Sequence, residues 1–397
     1  MKILFVCHRV PYPPKRGGKI RPFNIIRHFT EQGHQVTVAS LARTSDELRE
    51  ASGLKQYCVG LLVEVIPGWI AWLKMILWMA TTKPSSFAYF YSRKLKSRIS
   101  NELSHGNYDL VFVHCSSMAS YVEDVKHVFK SLDYGDMDSQ KWREYADHRA
   151  WPLSLGFWLE AVKLERTERL IGRKFDFVTC TTKAELATLR GLGIDTPSDW
   201  FPNGVDTDYF QPSTGQYDTD LVVFVGRMDY FPNQQAVNYF CSEVLPVLRQ
   251  HRPTVKFQIV GADPPQQIRN LGKLPGVSVT GSVPDIRAYV TNAALTVAPL
   301  AIARGTQNKI LESMSMGVPV VCSRAASGGI DAIAGEHVLI ADSVMEYVTY
   351  ITQLLEFSAL RQRLADAGRA RMLARHTWAS SMKHLDQLLA VQMQQHG

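Results

Sequence analysis

Two Rossmann-like, doubly wound α/β domains facing a cleft are the fold this sequence predicts, on three observations. Short apolar runs alternate with stretches of helical period, as parallel sheets covered by helices require. The series stops between Gly193 and Tyr217, where proline, glycine and aspartate become frequent, and then begins again. Polar loops follow the apolar runs at their carboxyl ends, where open α/β sheets take ligands. A chain of 397 residues, 46% of them hydrophobic, is long enough for two such cores. The predicted divisions are a first domain over 1–195, a linker over 196–220 and a second domain over 221–376. A C-terminal helix over 377–397 is expected to pack back on the first domain.

Strands are predicted at Ile3–Cys7, Val36–Ser40, Gly60–Val65, Leu110–His114 and Phe177–Thr181, with Val128–Leu132 as a further one. Helical periods intervene at Ile20–Glu31, Trp69–Met79, Leu95–Leu103, Ala119–Phe129 and Leu159–Arg173. The second series has strands Leu221–Val225, Phe257–Val260, Val277–Thr280, Leu295–Ala298 and Val318–Cys322. Its helices are Gln234–Arg249, Asp285–Asn292 and Lys309–Met316, followed by a helical tail over Val344–Gln394. No tandem repeat or low-complexity tract interrupts the pattern.

The net charge of +7 lies wholly in the first half: 28 basic and 21 acidic residues precede residue 201, and 16 of each follow it. That asymmetry fits an anionic phospholipid surface or a phosphorylated acceptor, or else unclustered surface charge; nucleic acid is not an expected partner. Six scattered cysteines form no C-x-x-C pair, which argues for a reducing cytoplasm and no metal cluster. The terminus MKILFVCH is expected to be a strand rather than a signal peptide. No stretch approaches the roughly 20 apolar residues of a membrane span.

Candidate chemistry falls at the ends of predicted strands. After the first, HRVPYPPKRGGKIR places Gly17 and Gly18 where backbone can approach a phosphate, or where a plain βα turn would sit. His114 ends DLVFVH and can orient or deprotonate a hydroxyl, or merely cap a helix. In VVFVGRMD, Gly226 allows a tight turn and Arg227 can fork onto a diphosphate, with a surface salt bridge as the plainer reading.

The stretch ARGTQNKILESMSMGVPVV is the most informative. Thr306 is the expected N-cap, which starts a helix near Gln307 and ends it at Gly317. Lys309 then occupies the third helical position and Arg304 the preceding loop, two cations at a positive helix end. A phosphate between them resolves the conflict. Glu312, three residues on, shares the face of Lys309 and suits hydroxyls. Nucleotide-sugar binding follows as the first hypothesis.

The pairs Asp136–Asp138, Asp206–Asp208 and Asp218–Asp220 could each hold a metal, although such pairs are common by chance; no metal is expected. The stretch PGWIAWLKMILWMATTKP carries Trp69, Trp72, Lys74 and Trp78 at helical spacing, and YFYSRKLKSR follows it. It is either a core helix or one that touches an acceptor or an anionic membrane surface.

Together these pieces resemble the GT-B glycosyltransferases of family 4 (group 1). The matching segments are the KRGG loop, His114, PNGVDTDYF, FVGRMDYFPN, the Lys309–Val321 segment and GGIDAIAGEHVLIAD. More narrowly, PPKRGGKIRPFNIIRHF, LDYGDMDSQKWREYA and RGTQNKILESMSMGVPVV resemble the PEP-CTERM-associated exopolysaccharide sugar transferases. The resemblance implies a retaining, metal-independent hexosyl-type transferase with no cofactor beyond its nucleotide-sugar co-substrate. The first domain would take a glycan or lipid-linked acceptor, and the second the nucleotide-sugar. The protein would be cytoplasmic, peripheral on the inner face of the cytoplasmic membrane.

In that reading His114, Arg227 and Lys309 act in catalysis. His114 contacts the sugar, and the two cations neutralise the departing diphosphate. Gly17 and Gly18 approach the donor phosphates, Glu312 holds the ribose, and the Gly281–Val283 backbone receives the base. Gly226, Arg304, Gly305, Thr306 and Asn308 complete the donor site. Two departures stand out: the family's E-x7-E motif has Arg304 at its first position, and Pro232 replaces the usual lysine five residues after Arg227. A non-hydrolysing nucleotide-sugar epimerase and a non-catalytic nucleotide-binding subunit of a polysaccharide assembly complex remain alternatives.

Overall fold

The computed structural model describes residues 1–14 and 17–396; Lys15 and Arg16 of the KRGG segment lie outside the described residues. The chain divides into two compact units, Met1–Phe201 with Met382–Gly397, and Pro202–Ser381.

Among the described residues, the first unit holds a seven-stranded parallel sheet: β1 (Lys2–Cys7), β2 (Gln35–Ala42), β3 (Gly60–Val65), β4 (Leu110–His114), β5 (Phe129–Gly135), β6 (Phe177–Cys180) and β7 (Ser198–Trp200). Their order is β3-β2-β1-β4-β5-β6-β7. Every residue of β4 and β5 is buried, because helices cover both faces of a parallel sheet. The second unit has β8 (Asp218–Val225), β9 (Lys256–Val260), β10 (Val277–Val279), β11 (Ala293–Ala298), β12 (Val320–Cys322) and β13 (Leu339–Ile340), ordered β10-β9-β8-β11-β12-β13.

Strand order reverses between β1 and β4 in the first unit and between β8 and β11 in the second. Carboxyl ends of strands at such switch points leave a crevice that no crossover helix fills. His114 ends β4 at one of them, and Arg227 follows β8 at the other.

Several elements differ from the sequence expectations. Ala119–Phe129 is not a helix: Ser116–Tyr121 forms a single 3-10 element, and Phe129 already belongs to β5, paired with Leu110. Strand pairing there overrides a helical spacing of apolar residues. Unforeseen elements include the helices Asp138–Asp147 and Lys183–Gly191, several shorter helices such as Ser45–Glu50, and the short strands β7 and β13. The helix expected over Gln234–Arg249 is three pieces, Phe231–Tyr239, a π-turn at Phe240–Val244 and Leu245–His251. Pro246 interrupts the ladder by removing a donor.

The helix Gly68–Met79 is a surface element that packs on the core through Ile70, Ala71 and Trp78 and turns most of its other apolar side chains outward. Trp69 is 69% and Trp72 56% exposed, as are Leu73, Ile76, Leu77 and Met79, and only Ala71 is buried. Nearby, the helix Leu153–Gly172 exposes Leu153, Leu155, Trp158, Leu159 and Val162, and Trp151 ahead of it is 80% exposed. The two regions are tied together where Lys163 Nζ donates to the Met79 carbonyl at 2.8 Å. Glu160 accepts from the Ser85 and Ser86 amides at 3.0 and 2.8 Å. Among the described residues, no helix is long and apolar enough to cross a membrane.

Candidate functional site

In the first unit the site is built on Asp133. Parallel pairing sets His114 beside Asp133 across β4 and β5. His114 Nδ1 lies 2.8 Å from Asp133 Oδ2. Arg21 donates Nε to the same carboxylate at 2.8 Å and Nη2 at 2.9 Å, while Thr179 Oγ1 donates at 3.0 Å. Burial alone would raise the Asp133 pKa. The Arg21 guanidinium and the His114 hydrogen bond outweigh it and hold the carboxyl well below the usual range. An ionised carboxylate on Nδ1 favours the tautomer with a proton there, which leaves Nε2 of His114 as the acceptor.

Arg21 is fixed in turn by the Phe201 carbonyl at 3.0 Å and by stacking over the Phe201 ring at 3.6 Å. Asp133 and Arg21 escaped sequence reasoning. Their signal was the alternation in KSLDYG, which turns Asp133 to the same side of the sheet as Ser131.

His8, the residue after β1, stands beside His114 with ring centroids 6.0 Å apart. Its Nδ1 is buried without a hydrogen-bond partner among the described residues. Burial, with Arg9 adding to it, pushes its pKa well below the ordinary imidazole value, so the ring is neutral at physiological pH. Cys115 adopts φ 75°, uncommon for a residue with a Cβ, and its amide donates to the Asp133 carbonyl at 2.8 Å. Gly17 and Gly18 are the first two residues of the helix Gly17–Glu31, which starts three residues earlier than expected. A Cβ on either would meet nothing within 4 Å, so packing does not demand glycine there.

In the second unit, Thr306 is not the N-cap. The helix runs Asn308–Ser315 with Gln307 as a non-helical cap residue that makes no side-chain cap bond. Lys309 is therefore at the second helical position, still in the first turn. The Thr306 hydroxyl is buried without a partner, an unmet donor beside the helix start. Lys309 Nζ donates to Asn233 Oδ1 at 2.6 Å and lies 4.3 Å over the Phe224 ring. Asn233 Nδ2 donates to the Arg227 carbonyl at 2.8 Å, so one amide ties the strand end to the lysine. Pro232 is buried in the first turn of the helix Phe231–Tyr239, where its missing N–H costs nothing. Asn233 was the residue sequence reasoning passed over.

Gly226 has a packing reason. A Cβ there would stand 2.7 Å from Asn233 Nδ2 and 3.1 Å from Lys309 Nζ. Gly281 and Gly305 hold φ 73° and 64°, a region that favours glycine. Val283 is partly buried against the cluster of Leu221, Val223 and Met316. Asn308 Oδ1 accepts from Asn203 Nδ2 at 3.5 Å, and the Arg304 carbonyl accepts from Gln307 Nε2 at 3.1 Å.

Burial lowers the Lys309 pKa to about 7, against the opposing pull of Glu312. Burial likewise raises Glu312 to about 7, with Lys309 opposing. Arg227 is half-exposed and engaged by Asp229 at 2.7 Å and by Asp263; these carboxylates keep it firmly cationic.

The Asp-x-Asp pairs have structural partners. Asp136 accepts from Thr181 at 2.9 Å, and Asp138 pairs with Lys141 at 2.8 Å. Asp206 accepts from the Tyr209 amide at 2.9 Å, and Asp218 pairs with Lys256 at 2.7 Å. Among the tryptophan-helix candidates, Trp69 and Trp72 face outward. Lys74 Nζ turns inward to the Tyr91 carbonyl at 3.1 Å, and Trp78 packs on the core with Lys83 5.5 Å over its ring. A cavity of about 620 Å³ opens beside Trp78, lined by Lys83, Arg93, Lys96, Arg166 and Lys174 among others.

Residues 16–209 match the model of glycosyltransferase family 4, and residues 219–356 that of the glycosyl transferases group 1. Solved structures share the fold over nearly the whole chain. Sucrose-phosphate synthase from Thermosynechococcus elongatus is 17% identical with a TM-score of 0.70, covering 98% of each chain. Anabaena HepE in complex with UDP is 16% identical with a TM-score of 0.71, covering 98% of this chain and all of that one. A glycosyltransferase from Rickettsia africae is 12% identical with a TM-score of 0.64, covering 98% and 97%. At these identities the likeness establishes the GT-B fold. No curated protein matches the chain in sequence.

Proposed function

Given that this chain is a GT-B glycosyltransferase with the family 4 (group 1) architecture over most of its length, we propose that it transfers a hexose-type sugar, with retention, to a glycan or lipid-linked acceptor. The observation that carries the donor side is Lys309. A half-buried lysine in the first turn of a helix opposes the dipole, and a diphosphate there satisfies both. Asn233 holds its ammonium, Glu312 offers a carboxylate one turn on, and the unpartnered Thr306 hydroxyl supplies a further donor. Arg227 is a second cation of the same unit that exchanges Asp229 and Asp263 for phosphate oxygens. These groups and the helix amides stabilise the departing nucleoside diphosphate without a metal. Because HepE has been solved with UDP and UDP-glucose, UDP-sugars come first as donors.

The acceptor side rests on His114, whose Nε2 is left free to contact a sugar or hydroxyl by the Asp133 bond at Nδ1. The exposed Trp69, Trp72, Trp151 and Trp158, together with the largely basic cavity beside Trp78, favour peripheral attachment to an anionic membrane and a lipid-linked acceptor. An exopolysaccharide role is carried by the resemblance of the quoted segments alone. A thermal-shift screen with UDP-, GDP-, ADP- and dTDP-sugars in EDTA tests the reading, since bound ligand raises stability by mass action. At least one should raise Tm; no shift with any of them would remove the donor assignment.

A further inference from the structure

We propose that His8, His114 and Cys115 form a site for a zinc-class transition-metal ion, and that this ion, when bound, holds His114 away from substrate. One ring nitrogen of each histidine and the Cys115 sulfur all lie within 4.8 Å of one another. Tetrahedral zinc with Zn–N about 2.0 Å and Zn–S about 2.3 Å spaces its ligands roughly 3.3–3.7 Å apart. The cluster thus needs side-chain movement of about 1 Å to close, with no change of fold. The sheet itself assembles it: Cys7 pairs with His114 across β1 and β4, and His8 and Cys115 are the next residues of each strand.

Three further observations point to a ligand. Asp133 occupies His114 Nδ1, leaving Nε2 for a metal, which is the carboxylate–histidine–metal arrangement that fixes tautomer and raises ligand basicity. His8 Nδ1 is buried and unpartnered among the described residues, so that nitrogen has lost water without gaining a bond. Cys115 is held at φ 75°, a conformation that costs free energy and places its sulfur at the strand end beside the two rings. Two imidazoles and a thiolate suit zinc, cobalt(II) or copper, and offer nothing to magnesium or calcium. On binding, the thiol proton leaves to bulk water and the thiolate takes its place on the metal. A fourth position stays open to water.

The ion is an inhibitor in this account, because a coordinated Nε2 cannot touch a sugar. That consequence rests on the proposed role of His114; the site itself does not. The experiment uses the full chain, stripped with EDTA and titrated with Co²⁺. One equivalent should give tetrahedral visible bands with a sulfur-to-cobalt charge-transfer band, which Zn²⁺ then bleaches. Cys115→Ser should lose the charge-transfer band, whereas Cys58→Ser should keep it. His114→Gln should weaken Co²⁺ at least about tenfold. Zn²⁺ should also protect Cys115, and not Cys58, from alkylation mapped by mass spectrometry. A folded wild-type chain with neither charge-transfer band nor protection overturns the site. Bands that survive unchanged in His114→Gln overturn the claim that the metal sequesters His114. Neither outcome bears on nucleotide binding, which the thermal-shift screen reads separately.

Discussion

Asp133 orients His114: the carboxylate Oδ2 stands 2.8 Å from Nδ1 of the imidazole, and both side chains are buried at the switch point of the first sheet. Arg21 neutralises the same carboxylate, so the histidine is steered by a group that remains ionised at all working pH values.

Asp133→Asn should therefore act on turnover more than on binding, lowering kcat about 10²-fold, within the range of general acid–base contributions, with a smaller change in KM. It also removes the carboxylate counter-charge from the buried Arg21, which the Phe201 carbonyl still holds; breaking such a buried ion pair costs about 3–5 kcal/mol in comparable sites. Denaturant melts of the variant, beside steady-state kinetics at a temperature where it is folded, separate the two. Unchanged kcat in the folded variant would take His114 and Asp133 out of the reaction.

Nucleotide binding should be linked to protons. Lys309 titrates near 7 in the free protein because burial disfavours its charge, and a bound diphosphate restores that charge. Above pH 7 the free lysine is neutral, so binding takes up a proton and affinity falls, by up to about tenfold per pH unit. Glu312, raised to about 7, works in the opposite sense: below pH 7 it is protonated and loses its strength as a hydroxyl acceptor. The maximum therefore falls close to neutrality. Calorimetry at pH 8 in buffers of different ionisation enthalpy should show proton uptake that Lys309→Arg removes. Affinity that stays flat from pH 7 to 9 would contradict the lysine's role.

Membrane attachment should be peripheral and carried by two helices. Each basic residue near an anionic surface contributes about 1 kcal/mol within a Debye length of about 8 Å at physiological salt. The exposed tryptophans add an apolar anchor that salt does not screen. Liposome co-sedimentation should show binding to anionic vesicles that weakens with salt, and Trp72→Glu with Trp158→Glu should abolish it while the fold stays intact. Equal, negligible pelleting of the wild type on anionic and neutral vesicles would point to a soluble acceptor.

Much of this was written locally in the chain, and the rest was not for identifiable reasons. Strands such as Leu110–His114 declare themselves because both faces are buried and the run is continuously apolar. The Lys309–Glu312 pair was legible from helical spacing. Its cap was not, because a loop threonine can serve as cap or as buried hydroxyl, and tertiary packing decides. Asp133 and His114 are nineteen residues apart and meet only through strand register, which no local pattern encodes. The helix Leu153–Gly172 was placed too short because its apolar exposed residues gave no clean amphipathic period.

The second unit should bind a nucleoside diphosphate through Lys309 and Arg227 without a metal, as isothermal calorimetry with UDP and GDP in EDTA can measure. Each charge-assisted contact is worth about 1.5–3 kcal/mol, so Lys309→Ala and Arg227→Ala should each weaken the preferred nucleotide about tenfold or more. The loss should be smaller for Arg227, which Asp229 and Asp263 hold in the free state. Binding of both nucleotides only when Mn²⁺ or Mg²⁺ is restored, or unchanged affinity in both folded variants, would contradict the account.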